Sequence, residues 1–353
     1  MSVFRARMTS RSVATGAAAL LGAAAIAACG GSSSSGNNSG GGSTGAAKSN
    51  SSASTNKTIA FNVGSSADPF FVAMETSADA VAAKQGYKID WQGNPEEYSP
   101  ATQIPILDSQ FAEKPAALIL APTDPNALQA PVNQFISAGI PVVNVDTHVS
   151  DLSKVLAFIT GDNANGGTDA AMALATAMHY QAGKTYQVVV GMTSATTTTD
   201  AARLAGFKTE IAAKYPGIKI VSVAYSQSQP TKANENVSNW LSTYPNLKGI
   251  FAIDGTNASG AAAALQQHNL VGKVALVGYD AYATNVSLLK QGIFSALIAQ
   301  QPAVEAQMAV DDVIQYLKTH KTTGIEHQAT LPNVVLTPKS SAATLAKYTY
   351  PAP

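Results

Sequence analysis

The stretch GIFAIDGTNASGAAAAL, Gly249 to Leu265, changes its period halfway. Gly249-Ile-Phe-Ala-Ile is a short apolar run that reads as a strand covered on both faces. Ser259 to His268 is Ala-rich and of helical length. Asp254 stands at the junction. There it caps the free amides of the next helix. In an open α/β sheet the same position lies beyond the carboxyl end of a strand, where ligands bind. The fold is decided by whether this strand–carboxylate–helix unit repeats.

It repeats along the chain. Apolar, β-rich runs stand at Thr58–Val63, Tyr87–Trp91, Ala117–Ala121 and Pro141–Val145, and again at Gln187–Val190, Ile218–Val223, Val274–Gly278 and Phe294–Ala299. Helix-length stretches lie between them at Phe71–Gln85, Asn126–Ala138 and Gly166–Gln181. Buried strands separated by helices mean βαβ units and parallel sheets covered on both faces. About nine such runs fit two sheets better than one. Leu156 to Asp162 reads as a segment crossing from one sheet to the other, followed by a fresh helix start at Gly161-Asp-Asn-Ala-Asn-Gly-Gly167.

The front of the chain is different. Residues 1–28 have the three parts of a secretion signal: Arg5, Arg7 and Arg11 without an acid, an apolar Ala-rich core from Val13, and small residues before Cys29. Ile26-Ala-Ala-Cys-Gly30 resembles a bacterial lipobox, in which the thiol is acylated and the chain is cut just before it. The apolar core is too short and too rich in Ala and Gly for a stable membrane span. Residues 29–56, nearly all small and polar after Cys29, read as a flexible tether.

Of 22 basic and 22 acidic residues in the chain, the cut leaves 19 and 22, a net charge of −3. There is no basic run and no basic–aromatic stripe, which speaks against a nucleic-acid partner. Cys29 is the only cysteine, so the folded part is held by its core and not by disulfides.

Function is carried by the residues that follow the strand runs. They are Asp68 with Phe70 and Phe71, Asp146 with Thr147, Asp254, Tyr279 with Asp280, and Gln300. Any one of these aspartates reads equally well as a helix cap. As a set they aim acceptors and rings at one crevice from both halves of the chain. Carboxylates and amides that accept hydroxyl hydrogens, with aromatic faces against C–H surfaces, suit a sugar or polyol. Asp68-Pro69 starts a helix, and at least one of the two rings behind it is expected in the cleft. Catalytic chemistry finds little support. His148, His179, His268, His320 and His327 show no metal-ligand spacing, and there is no GxSxG elbow or GxGxxG turn. No cofactor or metal is expected.

The segments TIAFNVGSSADPFF (58–71), LILAPTD (118–124), GIPVVNVD (139–146), GDNANGG (161–167), AARLAGF (201–207), VALVGYD (274–280) and IAQQP (298–302) occur in this order. Together with the opening stretch they resemble the ribose-type periplasmic binding proteins, the type I solute receptors of ABC importers. The resemblance implies an α/β fold of two similar lobes, each a doubly wound parallel sheet, joined by crossing hinge strands. It divides the folded part into 57–160 with 301–330, 161–300 with 331–340, and a tail from 341 to 353. It places ligand contacts at Asp68, Phe70, Phe71, Asp146, Thr147, Ala201, Ser228, Asp254, Tyr279, Asp280 and Gln300, with Phe70, Phe71 and Tyr279 against the sugar ring.

Thr147 and Ala201 stand where ribose receptors carry Arg, and Ser228 replaces an aromatic. Arg203 falls at a neighbouring position that more often serves lobe structure, and it stands with the expected ligand contacts. Losing two bidentate donors changes what the cleft holds. The reading is a monomeric, lipid-anchored extracytoplasmic receptor, not an enzyme, with a neutral monosaccharide or polyol as ligand and a membrane permease as partner. A sensing receptor coupled to a signalling protein and a cleft glycosidase are the alternatives.

Overall fold

The computed structural model describes residues 56–351, so the expected signal peptide, Cys29 and the tether before Asn56 lie outside the described residues. The chain starts with β1 (Thr58–Val63), α1 (Pro69–Lys84), β2 (Lys88–Gly93), α2 (Pro100–Ala112), β3 (Ala117–Leu120), α3 (Gln129–Ser137), β4 (Val142–Val145) and β5 (Ala157–Gly161). With β11 (Gln328–Leu331), these strands form a six-stranded, wholly parallel sheet in the order β11-β5-β4-β3-β1-β2.

The second sheet has the same winding. It is built from α4 (Asn163–Ala177), β6 (Tyr186–Met192), α5 (Thr198–Lys214), β7 (Ile218–Tyr225), α6 (Pro230–Thr243), β8 (Leu247–Ala252), α7 (Gly255–Gln267), β9 (Ala275–Tyr279), α8 (Ala283–Lys290) and β10 (Ala296–Ala299). Its order is β12-β10-β9-β8-β6-β7, and only β12 (Val334–Leu336) runs antiparallel, at the edge. Between them the chain crosses three times: from β5 to α4, from β10 to α9 (Pro302–Thr319), and from β11 to β12. α9 returns to pack on α1, β4 and β5 of the first sheet.

Every apolar run of the sequence lies on a strand. β3, β4 and β10 are buried at every position, because helices cover both faces of the sheets. β11 and β12 lacked a sequence signal, being short edge strands with exposed residues. Some starts move as well. α7 begins at Gly255, directly behind its Asp254 cap, and α4 at Asn163, behind Asp162. Residues 341–351, expected as a tail, contain α10 (Ala342–Tyr348), capped by Ser341.

One contact between helices fixes the second lobe. On α4 and α5, a Cβ at Gly206 would stand 1.9 Å from the Ala164 carbonyl oxygen, and one at Gly167 would stand 1.9 Å from the Arg203 carbonyl oxygen. The two backbones touch, and backbone cannot yield as a flexible side chain does. Gly206→Ala is therefore expected to cost about 3 kcal/mol and to lower the melting temperature by roughly 6–12 °C. A thermal melt followed by circular dichroism checks this, and an unchanged melting point would contradict the close crossing.

Candidate functional site

The ends of the strands build the site. α1 starts at Pro69, and Asp68 caps it, its Oδ1 accepting from the Phe70 amide at 2.9 Å. At the ends of β4 and β9 the chain turns through left-handed residues, Asp146 at φ 59° and Asp280 at φ 67°. Such backbone is uncommon outside glycine, though Asp accepts it more readily than most residues, and it persists where its surroundings hold it. Here each amide is tied to the neighbouring strand, Asp146 to the Ile159 carbonyl and Asp280 to that of Ile298, both at 2.8 Å. The equivalent position in each sheet thus projects a carboxylate into the space between the lobes.

That space is a cavity of about 40 Å³, with room for roughly three water molecules. Asp68, Asp146, Asp200, Asp254 and Asp280 line it against one cation, Arg203. Phe70, Phe71, Ser228 and Gln300 line it too. The lobes meet across it: the Tyr282 hydroxyl donates to Asp68 Oδ1, and Thr256 Oγ1 stands 3.4 Å from Asp68 Oδ2. The cleft is therefore closed, and a ligand enters only if it opens. A larger groove of about 460 Å³, lined by Pro141, Val142, Tyr316 and His327, lies at the amino end of β4. That is the wrong end of a parallel sheet for a ligand.

Donors are unevenly shared among the carboxylates. Asp280 receives Gln300 Nε2 at 2.7 Å and the Tyr350 hydroxyl at 3.0 Å on Oδ1, and the Gly255 amide at 2.9 Å on Oδ2. Asp254 receives the Asn257 amide at 2.8 Å and Thr193 Oγ1 at 3.0 Å. Asp200 has the Thr193 amide at 2.7 Å. Asp146 is 7% exposed, and no donor among the described residues reaches its carboxylate. Behind it lies Glu305 of α9, wholly buried. Burial first, then Asp146, raises the Glu305 carboxyl well above its ordinary range.

Arg203 is fixed in place. Its Nε donates to Asn163 Oδ1 at 2.8 Å and its Nη1 to the Ile253 carbonyl at 3.0 Å, and its guanidinium lies 3.9 Å from the centre of the Tyr279 ring. Burial works against its charge, but Tyr279, Asp280, Asp146 and Asp200 outweigh that and hold the proton.

These placements correct three expectations. Tyr279 does not face the cavity; it is fully buried beneath Arg203, and Asn333 Nδ2 donates to its hydroxyl at 3.1 Å. Tyr279 ends β9, and the chain turns at Asp280 through left-handed backbone. Ala201 is exposed on α5, and Arg203, two residues on, faces the cavity in its place. Thr147 is buried outside the lining, with no partner for its Oγ1 among the described residues. Phe70 and Phe71 are both core residues. Both line the cavity, packed edge to face with centres 5.3 Å apart. Tyr98, Thr193, Thr197 and Asp200 also line it, and none was expected. Tyr98 lies in the loop between the end of β2 and α2, and Asp200 stands just ahead of the AARLAGF segment.

Burial, partly offset by the Tyr282 hydrogen bond, pushes the Asp68 carboxyl up to about 7. Burial, partly offset by Arg203 and reinforced by Asp280 and Asp68, pushes Asp146 up to about 7. An acid whose folded pKa lies above its unfolded value binds more protons when folded. Its contribution is full below about pH 4 and lost as pH rises through about 7. The unliganded protein is therefore expected to melt several degrees higher near pH 5 than near pH 8. Calorimetric melts across this range check it, and a melting point that climbs with pH would contradict it.

Among the described residues no group of three or more His, Cys, Asp or Glu is arranged to hold a metal ion. Residues 59–322 match the family model described as periplasmic binding protein domain. A D-ribose/D-allose-binding protein of Pseudomonas aeruginosa is 30% identical over 266 residues, 73% of this chain and 82% of that protein. A ribose import binding protein of Bacillus subtilis is 28% identical, over 75% of this chain and 84% of its own. Among solved structures, an ABC transporter solute-binding protein of Agrobacterium vitis bound with α-D-tagatopyranose superposes with a TM-score of 0.77. It is 30% identical, and the match covers 84% of this chain and 99% of that one. A second from the same organism, with bound D-fucose, gives 0.78 at 28% identity, covering 83% and 100%. These relatives are binding proteins of transport systems, not enzymes. By its two wound sheets, its interlobe cleft and the match over most of its folded length, the chain belongs to the periplasmic binding protein family.

Proposed function

We propose that this protein is the extracytoplasmic receptor of an ABC importer, taking a neutral monosaccharide or polyol between its two lobes and delivering it to a membrane permease. The observation that carries this reading is the Asp146 carboxylate, buried, without a donor, and lining a cavity that the opposite lobe closes. A pair of sugar hydroxyls supplies the donors it lacks, and Arg203 supplies a fixed donor on the other side. Phe70 and Phe71 offer apolar faces to the C–H surface of the ring. A ligand that touches both lobes replaces the Asp68–Tyr282 contact and favours closure.

The lobes are 57–160 with 301–330 and 161–300 with 331–340, the protein acts as a monomer, and a lipid on Cys29 anchors it to the membrane. The sequence of residues 26–30 and the tether composition support the anchor.

With five carboxylates against one guanidinium, the cleft repels anions. A thermal-shift screen of neutral sugars, polyols, sugar acids and sugar phosphates tests the reading. A neutral binder at 100 times its Kd adds about 2.7 kcal/mol of stability, seen as a raised melting temperature, while acids and phosphates give none. Tight binding of a sugar acid or phosphate would overturn it.

A further inference from the structure

The chain beyond residue 322 lies outside the family match, yet part of it stands directly behind the ligand site. After α10 the backbone turns, and the Tyr350 amide donates to the Ala281 carbonyl at 2.9 Å, pinning the segment to the loop behind β9. Tyr350 is 4% exposed. Its hydroxyl sits between two cavity-lining residues, donating to Asp280 Oδ1 at 3.0 Å and accepting from the Gln300 amide at 3.0 Å. Its ring lies 6.0 Å from Phe70, which follows β1 of the other sheet, and 6.0 Å from Tyr282. One side chain therefore touches the left-handed turn at Asp280, the crossing from β10 to α9, and the opposite lobe.

We propose that Tyr350 is a positioning residue of the ligand site: its hydroxyl fixes the Asp280 carboxylate and the Gln300 crossing in the arrangement that receives ligand, and its ring seats Phe70 when the lobes close. Asp280 holds a backbone conformation that needs its surroundings to impose it. Its Oδ1 has two donors, Gln300 Nε2 and Tyr350. Removing one leaves the carboxylate free to swing about the other. The tyrosine does not line the cavity, so it acts through Asp280, Gln300 and Phe70 and not by touching ligand. The binding part of this inference rests on the sugar-receptor reading; the positioning part does not.

Tyr350→Phe keeps the ring and removes the hydroxyl. Two ligand-free readouts follow. The Gln300 amide loses its acceptor, so its hydrogen exchange is expected to accelerate. The Asp280 carboxyl loses a donor to its charged form, so its titration midpoint, followed by carbon NMR of the side chain, is expected to move up. The groups facing Asp280 are Arg203, Asp68, Asp146, Asp254 and Glu305, with the hydroxyls of Tyr279 and Tyr282; all are unchanged by the substitution. The third readout is titration with D-allose, D-ribose and D-tagatose. Affinity for whichever of them binds the wild type is expected to fall roughly tenfold or more, with the unliganded melting temperature within a few degrees of wild type. Tyr350→Ala, which also removes the ring from Phe70, is expected to bind more weakly still.

An unmoved Asp280 midpoint with unmoved exchange at Gln300 would overturn the proposal, whatever the sugars do. So would a moved midpoint with unchanged sugar affinity, or a loss of binding explained by a collapsed melting temperature. If none of the three sugars binds the wild type, the neutral sugar or polyol found by the thermal-shift screen takes their place; if the screen finds none, the sugar reading is at fault, and the carboxyl titration and the exchange rate alone decide the role of Tyr350.

Discussion

Replacing Asp146 by Asn is expected to stabilise the unliganded protein and to disable it. The carboxylate is buried, has no donor among the described residues, and sits against Glu305, so its charge is costly until ligand arrives. Near pH 8 the neutral amide removes that cost, and the melting temperature should rise by roughly 5 °C, the equivalent of about 1–2 kcal/mol. Near pH 5 wild-type Asp146 already holds its proton, and the gain should vanish. Binding of a sugar should weaken by on the order of 100-fold, because the charged acceptor for a hydroxyl pair is gone. A site that strains the fold and serves the ligand is the usual trade between stability and function. Melts at both pH values and one titration check all three effects. An unliganded Asp146→Asn protein less stable than wild type at pH 8 would mark the carboxylate as structural.

The second large effect is expected at Arg203. Arg203→Met keeps most of the volume and removes the only cation that lines the cleft among the described residues. It leaves Asp146, Asp200 and Asp280 facing one another without compensation, and it frees Asn163 and the Ile253 carbonyl. Stripping the partner from buried charges costs about 3–5 kcal/mol, and the stacking on Tyr279 is lost as well. The melting temperature near pH 8 should fall by roughly 10 °C or more, and by less near pH 5, where the carboxyls take up protons. Arg203→Lys should restore little, since an ammonium cannot reach Asn163 and Ile253 from one plane while covering a ring. Melts of the two variants at both pH values decide it. An Arg203→Met protein as stable as wild type would show that the carboxylates are neutral at both pH values.

The sequence made the architecture legible because parallel strands buried on both faces are continuous apolar runs; Asp146, Asp254, Asp280 and Gln300 follow them directly, and Asp68 caps the helix behind β1. The position after a strand is fixed by the sheet, so counting from the run locates it. Positions inside helices are not fixed in this way. Each step along α5 turns the side chain by about 100°, which is why Ala201 looks away from the cleft while Arg203 faces it. Tyr279 is the last residue of β9 and Asp280 begins a left-handed turn, so the alternation of the strand does not relate the two side chains. Tyr98 follows β2 only at a distance, and Tyr350 follows no strand. They reach the site from loops whose course is set by packing between distant segments, Tyr98 ahead of α2 and Tyr350 behind α10.

The most direct measurement is calorimetric titration of wild type and Asp146→Asn with the neutral sugar or polyol that gives the largest thermal shift, followed by chromatographic recovery of the ligand. Saturable binding of one ligand per chain, lost or greatly weakened by the substitution, with the ligand recovered unchanged, is the expected result. Equal affinity in the two proteins, or recovery of a cleaved or altered sugar, would contradict a receptor that holds its ligand in this cleft.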